Sequence, residues 1–453
     1  MIQKEETLSY AAPAIERCPS YPRWRWQIFV ITWLAYAGFY LTRKSFAVAK
    51  IGISHDPQMH MSDAQMAWID MGYGAAYAIG QAVFGMAGDR LGTRRIVLAG
   101  MFVSVVTAMV VGASSLTIFF GLLLFVQGLA QSTGWAPLSK NMSNFFSRRE
   151  RGKVMGFWCT NYPVGGLIAL LLAGYAGDRF GWQYAFYVPA IAFTIVLVLF
   201  ALFQRNRPED VGLPSIEEYH GEPAAVLKVG ESPAEEPEGS WKVIREVLTN
   251  RMVIILALVY FLLKPARYAL LNWGPKYMNA RLHGGMADAG LVSSMFELGG
   301  APGAILAGYI SDKYLGSRRM PICVVCLVLL GVALVFLDRV TASRMLLGGS
   351  LFLIGLLLFA ADSMIVGTSA MDFGTKKGAS TAAGLINAIG SIGLTLGGSL
   401  PGFMNRKWGW GGVFGLLGGM AILAGLILLP QWNAQPAGIK RSAGAERSAD
   451  TKR

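Results

Sequence analysis

The stretches "GMAGDRLGTRR" (residues 85–95) and "GYISDKYLGSRR" (residues 308–319) decide the fold, because they are two versions of one motif in the two halves of one chain. The interval from Gly85 to Gly308 equals the interval from Asp89 to Asp312. Two further pairs share a second, slightly longer interval: "SRRERGKVMG" with "TKKGASTAAG", and "FGWQYAF" with "WGWGGVF", which begin at residues 147, 375, 180 and 408. Three matches in so similar a register indicate an internal duplication with the halves in parallel orientation.

The composition is that of an integral membrane protein. Of 453 residues, 54% are hydrophobic and 15% are charged, a balance that soluble domains do not normally have. Uncharged runs long enough to cross about 30 Å of hydrocarbon recur along the chain, and helices satisfy the backbone in lipid. We therefore predict an all-α membrane protein with twelve transmembrane helices in two pseudo-symmetric six-helix bundles. The predicted spans 1 to 12 are residues 26–49, 64–84, 96–114, 117–138, 154–176, 184–203, 252–277, 288–309, 321–338, 346–366, 379–402 and 411–430.

The duplication also sets the domain boundaries. We expect an N-terminal segment, a first bundle, a linker, a second bundle and a tail, at residues 1–25, 26–203, 204–251, 252–430 and 431–453. The linker contains "GEPAAVLKVGESPAEEPEGS", whose proline, glycine and glutamate content is too polar to pack. Two rocking bundles with a site between them near mid-membrane are the expected mechanical consequence.

The net charge of +13 reflects membrane topology rather than a nucleic-acid partner. The short loops after even-numbered spans are basic, as in "SRRERGK" (147–153), whereas the loops after spans 3, 5, 9 and 11 hold few arginines and lysines. By the positive-inside rule, both termini and the linker face the cytoplasm. We expect a multi-pass protein of the inner membrane whose surroundings are the lipid bilayer, with no nucleic-acid partner.

The sequence lacks the patterns of an enzyme or of a metal site. The four histidines, His55, His60, His220 and His283, lie in loops or at predicted helix ends without metal-binding spacing. The four cysteines give no disulfide framework, and "CVVC" (323–326) lies in an apolar span without further ligands near it in sequence. We therefore expect no enzymatic activity, no metal and no cofactor.

The duplicated motif resembles the signature loop of the major facilitator superfamily, at corresponding places in both halves. Glycine lets neighbouring helices approach, and Asp89 near a helix end can pair with arginines and so hold one conformation. The resemblance implies a conformational latch, and the alternative is that the arginines only set topology. The candidate latch residues are Gly85, Asp89, Arg90, Gly92, Arg94, Gly308, Asp312 and Arg318.

A closer resemblance is to the organophosphate:phosphate antiporter family within that superfamily. It rests on "FYLTRKSFA" (39–47), "RPEDVGLPSIEEY" (207–219), "RYALLNWGPKYM" (267–278), "FELGGAPGAILAGYISDK" (296–313) and "KKGASTAAG" (376–384). The family includes transporters of glycerol 3-phosphate, hexose phosphates and phosphoglycerate, and a hexose-phosphate sensor. The resemblance implies exchange of an organic phosphate for inorganic phosphate.

Two arginines lie at depth in matching spans. The interval from Arg43 in span 1 to Arg267 in span 7 equals the interval from Gly92 to Gly316. The two arginines therefore occupy corresponding positions in the two halves. If the bundles face each other, both guanidinium groups can point into one cavity and bind a phosphate dianion through bidentate hydrogen bonds. An uncompensated arginine at such depth costs about 2.5–3.5 kcal/mol on insertion scales. The alternative is that both snorkel to the outer surface; in the family that the chain resembles, the matching arginines bind phosphate.

Aromatic and polar residues accompany Arg43 on one helix face. Tyr36 and Tyr40 precede it at helical spacing, and Tyr73, Tyr77 and Gln81 repeat that spacing on span 2. Lys44 lies about 100° around the helix from Arg43 and is expected to snorkel. The candidate substrate-binding residues are Arg43, Arg267, Lys264, Tyr36, Tyr40, Tyr77, Gln81, Trp135, Asn161, Tyr162, Glu297 and Asp362.

The chain departs from the glycerol-3-phosphate transporters that it resembles. They place a lysine where it has Gln81 and a histidine where it has Tyr162. These differences argue against assuming glycerol 3-phosphate as the substrate. A sugar phosphate, phosphoglycerate, or an aminoalkyl phosphonate or phosphate ester is at least as well supported.

Three charged residues lie at depth in the second half; Lys264 stands where the resembled transporters have a tyrosine, and Glu297 matches an acid of that family. Lys264 precedes Arg267 by three residues on the same face of span 7, and Asp362 lies in an apolar run of span 10. An acid at that depth is usually paired, here with Lys264, Arg267 or a cationic group of the substrate. Glu297 in span 8 either exchanges between basic partners as the site fills, or Lys264, Glu297 and Asp362 form a purely structural ion pair.

The sequence thus predicts a secondary transporter, functional as a monomer. It is expected to import a phosphorylated small organic anion in exchange for inorganic phosphate by alternating access. Two alternatives stay open. One is a membrane sensor of an organophosphate that signals to a partner kinase, and the other is an ion-coupled organic-anion transporter of the same superfamily.

Overall fold

The structure is a computed structural model that describes part of the chain: residues 20–59, 61–219, 245, 249–316, 318–369 and 379–434. Within those ranges, side chains are described except at residues 82, 85–91, 148–149, 151–153, 217, 312, 367–369 and 379–385. The described chain is built of helices and contains no strand.

The first half forms spans 1 to 6. Span 1 consists of two helices, Tyr21–Arg43 and Ser45–Ile53, which meet at Lys44. The other helices of this half are Asp63–Leu91 (span 2), Thr93–Ala113 (span 3), Thr117–Gln131 and Trp135–Phe145 (span 4), Arg148–Trp158 and Asn161–Phe180 (span 5), and Tyr184–Phe203 (span 6).

The second half repeats this arrangement. Its helices are Arg251–Leu282 (span 7), Met286–Tyr314 (span 8), Met320–Leu337 (span 9), Arg344–Ser363 continued by the π-helix Met364–Ser369 (span 10), and Ala379–Leu428, which contains spans 11 and 12. The last helix is interrupted at Gly409, whose backbone is not helical. Three short helices lie outside the spans: Pro208–Val211, Ile216–Tyr219 and Leu429–Gln431.

Local sequence signals start several of these helices. Ser62 and Gln65 form a capping box at the start of span 2, in which each side chain satisfies the other's backbone N–H. Asn250 caps span 7 by accepting a hydrogen bond from the backbone N–H of Met252 at 2.9 Å. The N-terminal amides that a helix leaves unpaired are thus partly satisfied by side chains.

Nine helices in the described part of the chain are long and apolar enough to cross a membrane. One of them, Ile386–Gln431, contains the two predicted spans 11 and 12, which are separated by the kink at Gly409. Spans 1 and 2 are also helical but are not among these nine. The described helices therefore account for all twelve predicted spans.

The duplication is visible in the backbone. Five glycines of the described chain have positive φ, and four of them form two pairs related by the repeat. Gly92 (82°) and Gly316 (57°) are separated by the same interval as Arg43 and Arg267, while Gly181 (105°) and Gly409 (64°) lie in the matched "FGWQYAF" and "WGWGGVF" segments. Side-chain-bearing residues rarely adopt such angles, so the matching glycines end the same spans in both halves.

The halves contact each other at the end that is predicted to face outward. A Cβ atom on Gly290 of span 8 would lie 2.6 Å from the carbonyl oxygen of Leu170 on span 5. A Cβ on Gly402 of span 11 would lie 2.5 Å from the carbonyl oxygen of Asp63 on span 2. The ion pair between Lys276 and Asp63 joins the halves at the same end. Small residues thus let backbones of the two bundles approach closely there.

The predicted domain boundaries fall partly on residues that the structure does not describe. These are residues 1–19, most of the linker between 220 and 248, and 435–453. The described start of the linker packs on the start of span 1, since the rings of Tyr219 and Tyr21 stack at 4.1 Å. The boundaries themselves stay predictions.

Candidate functional site

A cavity between the two bundles brings together residues of spans 1, 2, 4, 7 and 11. Its wall combines aromatic rings and charged groups of the first half with residues of the second half. The lining residues are Tyr40, Arg43, Lys44, Phe46, Ala47, Asp70, Tyr73, Gly74, Tyr77, Leu124, Gln127, Tyr268, Leu271, Asn272 and Leu394. A concave site with a few polar groups set in apolar walls is the usual form of a small-molecule site.

Arg43 is held in the wall of this cavity by tyrosine rings and by an amide. Its guanidinium carbon lies 4.6 Å from the ring centre of Tyr40 and 4.9 Å from that of Tyr77. Its Nε donates to Oε1 of Gln131 at 3.1 Å, and Gln131 in turn donates to the hydroxyl of Thr42 at 2.9 Å. Its buried Nη2 has no hydrogen-bond partner among the described residues. Arg43 therefore keeps donor capacity for an anionic ligand.

Arg267 is occupied by an acid. Its Nη1 donates to Oδ2 of Asp362 at 3.0 Å, and both residues are buried. Its guanidinium carbon also lies 4.6 Å from the ring centre of Phe359. Asp362 lies just before the π-helix Met364–Ser369, a distortion that is frequent at functional sites. The sequence left three partners open for Asp362, and in the structure the partner is Arg267. The Nζ of Lys264 lies 4.6 and 5.4 Å from the ring centres of Tyr260 and Tyr268.

A row of aromatic rings connects the two arginines. The ring of Tyr40, next to Arg43, lies 6.4 Å from that of Tyr162 on span 5. Tyr162 stacks on Phe359 at 6.0 Å, and its ring centre lies 5.6 Å from the guanidinium carbon of Arg267. One arginine from each bundle thus flanks a shared aromatic cluster. Arg43 lines the cavity, whereas Arg267 is not among its lining residues.

Lys44 does not snorkel, and that prediction is wrong. Its side chain is 3% exposed and lines the cavity, and its Nζ lies 3.0 Å from Oε1 of Glu297, which is 2% exposed. Gly166 makes room for this acid, since a Cβ there would lie 2.7 Å from Oε1. The prediction failed because it considered the rotation of span 1 alone, whereas the partner comes from span 8 of the other bundle. The ion pair therefore joins the two halves across the site.

Span 1 contributes another buried ion pair nearer to its C-terminal end, which the sequence analysis did not predict. The fully buried Lys50 has its Nζ 2.5 Å from Oδ2 of Asp70 and donates to the carbonyl oxygen of Asn272 at 2.9 Å. It also lies 4.1 Å from the ring centre of Trp273. A signal was present, because Lys50 follows Arg43 by seven residues and so continues the same helix face. Asp70 likewise lies on the same face of span 2 as Tyr73 and Tyr77, at helical spacing before them.

The charges in and around the cavity do not balance. The cations are the partly buried Arg43 and the buried Lys44, Lys50, Lys264 and Arg267, and the acids are the buried Asp70, Glu297 and Asp362. Each acid forms an ion pair with one cation. Arg43 and Lys264 are left without a carboxylate partner in the described part of the chain. Five cations and three carboxylates leave two positive charges, which match in magnitude the charge of a phosphate dianion.

Of the twelve predicted site residues, only Arg43, Tyr40 and Tyr77 line the cavity. The other nine are Arg267, Lys264, Tyr162, Glu297 and Asp362, described above, and Tyr36, Trp135, Gln81 and Asn161. The buried ring of Tyr36 packs against that of Trp135 at 5.3 Å, so this pair supports span 1 from behind. Gln81 lies one turn past Tyr77 and is not among the lining residues. Asn161 is fully buried at the start of a helix, and its amide nitrogen and oxygen have no hydrogen-bond partner among the described residues.

Four of the eight predicted latch residues, Gly85, Asp89, Arg90 and Asp312, are among the residues whose surroundings the structure does not describe. The guanidinium group of Arg94 donates to the carbonyl oxygen of Ala201, and that of Arg318 donates to the carbonyl oxygen of Leu315. A Cβ on Gly308 would meet none of the described atoms within 4 Å. The described arginine contacts lie within one bundle, and the latch stays a prediction.

Known proteins resemble this chain over nearly its whole length. A profile of the Major Facilitator Superfamily matches residues 29–398. The chain is 32% identical to the glycerol-3-phosphate transporter of Bacillus subtilis (strain 168), covering 93% of this chain and 97% of that protein. It is 30% identical to a probable hexose phosphate transport protein of Chlamydia pneumoniae, with 91% and 92% covered. It is 28% identical to the membrane sensor protein UhpC of Escherichia coli (strain K12), with 92% and 94% covered.

A solved structure has a similar fold. It is that of a bacterial homologue of the human lysosomal transporter Spinster, which superposes with a TM-score of 0.69 and 16% sequence identity. The match covers 90% of this chain and 96% of that chain. At this identity the likeness concerns the fold alone.

Proposed function

We propose a transport function on the premise that this chain belongs to the major facilitator superfamily and, within it, to the organophosphate:phosphate antiporter family. This membership confirms the predicted all-α fold and makes the chain a multi-pass membrane transport protein rather than an enzyme. The proposed activity is the exchange of a phosphorylated small organic anion for inorganic phosphate by alternating access. We place the protein in the inner membrane with both termini in the cytoplasm, since the basic loops follow even-numbered spans.

The observation that carries this proposal is the excess of two positive charges between the bundles, the partly buried Arg43 and the buried Lys264, over the described carboxylates. Buried charges are costly unless they are paired, so a site built with two surplus cations favours an anionic ligand of matching charge. Arg43 is the group most available to it, because it lines the cavity and pairs with no described carboxylate. A planar guanidinium fork fits a phosphoryl group through parallel hydrogen bonds.

Arg267 is proposed as the second arm of the phosphate clamp. In the structure it is held by Asp362, which therefore occupies the position of a ligand anion. Binding of a phosphoryl group requires Arg267 to exchange this carboxylate for phosphate oxygens. Lys264, one turn before Arg267 and without a carboxylate partner of its own among the described residues, is placed to receive Asp362 when that exchange occurs.

The charge excess also offers a reason for obligatory exchange. An empty site with two unbalanced cations is costly to close away from water, whereas a site that holds a dianion is neutral. Reorientation is therefore expected for the occupied protein and not for the empty one, because a ligand shifts an equilibrium by its differential affinity for the two states. The Lys44–Glu297 pair crosses between the bundles and must adjust in each cycle.

Purified protein in phosphate-loaded liposomes tests the proposal. We expect external labelled phosphate to enter in exchange for internal phosphate, organic phosphates to compete, and a proton gradient to have no effect. Binding without exchange would instead favour a sensor, a candidate that the similarity to a membrane sensor protein supports. Proton-dependent uptake that needs no internal phosphate would favour an ion-coupled transporter.

A further inference from the structure

A short polar motif follows the last span of each half and adds to the internal duplication. Gln204 opens "QRN" directly after span 6, and Gln431 opens "QWN" after span 12. The interval from Gln204 to Gln431 equals the interval from Asn206 to Asn433, and it lies between the two intervals of the other repeat matches. The two asparagines therefore occupy corresponding positions in the two halves.

Asn206 caps span 3 from outside that helix. Span 3 begins at Thr93 directly after Gly92, which has no side chain to satisfy the first backbone N–H groups. Oδ1 of Asn206 accepts a hydrogen bond from the backbone N–H of Arg94 at 2.8 Å, and the guanidinium group of Arg94 donates to the carbonyl oxygen of Ala201. A helix leaves such N-terminal amides unpaired, and an asparagine oxygen is a preferred acceptor for them. The cap of span 3 thus comes from the end of span 6.

The backbone of Asn206 is also held by hydrogen bonds. Its carbonyl oxygen accepts from the side-chain amides of Asn141 and Asn144 on span 4, each at 2.9 Å. Its backbone N–H donates to Oδ2 of Asp210 in the described start of the linker, at 3.0 Å. Asn206 therefore connects the start of span 3, the end of span 4 and the start of the linker at one point.

Asn433 makes a corresponding contact in the second half. Arg318, which corresponds to Arg94 in the repeat, donates from Nη1 to Oδ1 of Asn433 at 3.4 Å. This bond is longer and more exposed than that of Asn206, and its donor is the guanidinium group rather than the backbone. In each half, the asparagine after the last span thus accepts a hydrogen bond from the same arginine position, which follows the duplicated glycine motif.

The two asparagines tie the ends of the signature loops, residues 85–95 and 308–319, to their own bundles. The bonds described above stay within one bundle each, so they can persist when the bundles rock against each other. They lie at the end predicted to face the cytoplasm, which must close when the outer end opens. From this geometry we infer that Asn206 and Asn433 are positioning residues, which fix each signature loop to its bundle so that the predicted latch closes the cytoplasmic end. The inference rests on the proposed function, because it takes the protein to alternate between two open ends.

The test measures how fast an impermeant thiol reagent reaches Ala47→Cys, in the cavity wall, from outside intact cells. Because the outer ends of the bundles are in contact in this structure, the rate reports the population whose outer end is open and whose cytoplasmic end is closed. Asn206→Leu removes the cap of span 3 and should lower the rate at least fivefold. Asn206→Asp keeps an acceptor at the helix N-terminus and should preserve the rate. Asn433→Leu should lower the rate about twofold, since the bond that it removes is longer and exposed.

Asn250→Leu is the matched control, because it removes an asparagine cap from span 7 at the same predicted end of the molecule. It should lower the unfolding temperature about as much as Asn206→Leu does, while the labelling rate stays that of the Ala47→Cys protein. A merely structural role of Asn206 would lower the unfolding temperature without slowing the labelling, and that result would overturn the inference.

Other results would also count against the inference. Equal slowing by Asn206→Leu and Asn206→Asp, or by Asn206→Leu and Asn250→Leu, would overturn it, because the loss would then not come from the cap of span 3. An unchanged rate in Asn433→Leu would overturn it for the second half. Absence of phosphate exchange in the unmodified protein would instead refute the proposed function, and the labelling rate is measured independently of exchange.

Discussion

Replacing Asp362 with asparagine should increase the affinity of the empty site for inorganic phosphate. In the structure, the carboxylate holds Arg267 through a 3.0 Å charge-assisted hydrogen bond between side chains that are 10% and 12% exposed. Phosphate must displace this carboxylate before it can take the guanidinium fork. A hydrogen bond to a charged group contributes about 1.5–3 kcal/mol. If that contribution no longer opposes binding, the dissociation constant should fall about 10- to 150-fold.

The assay is phosphate binding to purified protein in detergent, by titration calorimetry and by thermal unfolding with and without phosphate. The neutral asparagine side chain cannot neutralise Arg267, so the variant without phosphate should unfold at a lower temperature than the unmodified protein. Phosphate should raise the unfolding temperature of the variant by more, because it supplies the missing anion. Asp288→Asn removes an exposed pair with Arg344 and serves as the control, with no change in affinity. Unchanged or weaker phosphate binding by a folded Asp362→Asn protein would refute the reasoning.

Three further expectations concern the packing between the bundles. Glu297→Gln leaves Lys44 buried without an acid and should lower the free energy of unfolding by about 3–5 kcal/mol. Adding Lys44→Met should restore most of that stability. If the destabilising effects of the two substitutions instead add up in thermal unfolding, the two residues are not coupled. Gly290→Val places a branched side chain against the backbone of span 5 and should lower the free energy of unfolding by about 1–3 kcal/mol. Gly349→Ala, where a Cβ meets none of the described atoms within 4 Å, should leave the unfolding temperature within a few degrees of its original value. Lys276→Met removes an ion pair between the halves at the predicted outer end and should speed the reaction of an impermeant thiol reagent with a cysteine placed in the cavity; an unchanged rate would mean that this pair does not hold that end closed.

Much of the fold could be predicted because its signals are periodic and local. Length and hydropathy located the spans, and the duplicated glycines fixed the register that the positive φ angles of Gly92 and Gly316 confirm. The break at Gly409 was also predicted, as the boundary between spans 11 and 12. The predicted domain boundaries and the latch fall largely on parts of the chain that the structure does not describe.

The candidate site could be predicted only in part. The repeat register related Arg43 to Arg267, and depth in an apolar run singled out Asp362. Arg267 was among the partners predicted for Asp362. The partner of Lys44 was not predictable, because Lys44 and Glu297 come from different bundles and helical spacing says nothing about contacts between bundles. Lys50 shared a helix face with Arg43, but its burial depends on an acid from span 2.

Arginine-to-lysine substitution at the two clamp positions tests the central claim most directly. Lysine keeps the positive charge but loses the fork that makes parallel hydrogen bonds to phosphate. The measurement is the initial rate of labelled phosphate exchange into phosphate-loaded liposomes, with Arg281→Lys, at the outer end of span 7, as the control. The account predicts at least a tenfold lower rate for Arg43→Lys and for Arg267→Lys, with the control near the unmodified rate. Exchange at the unmodified rate in both clamp variants would contradict it.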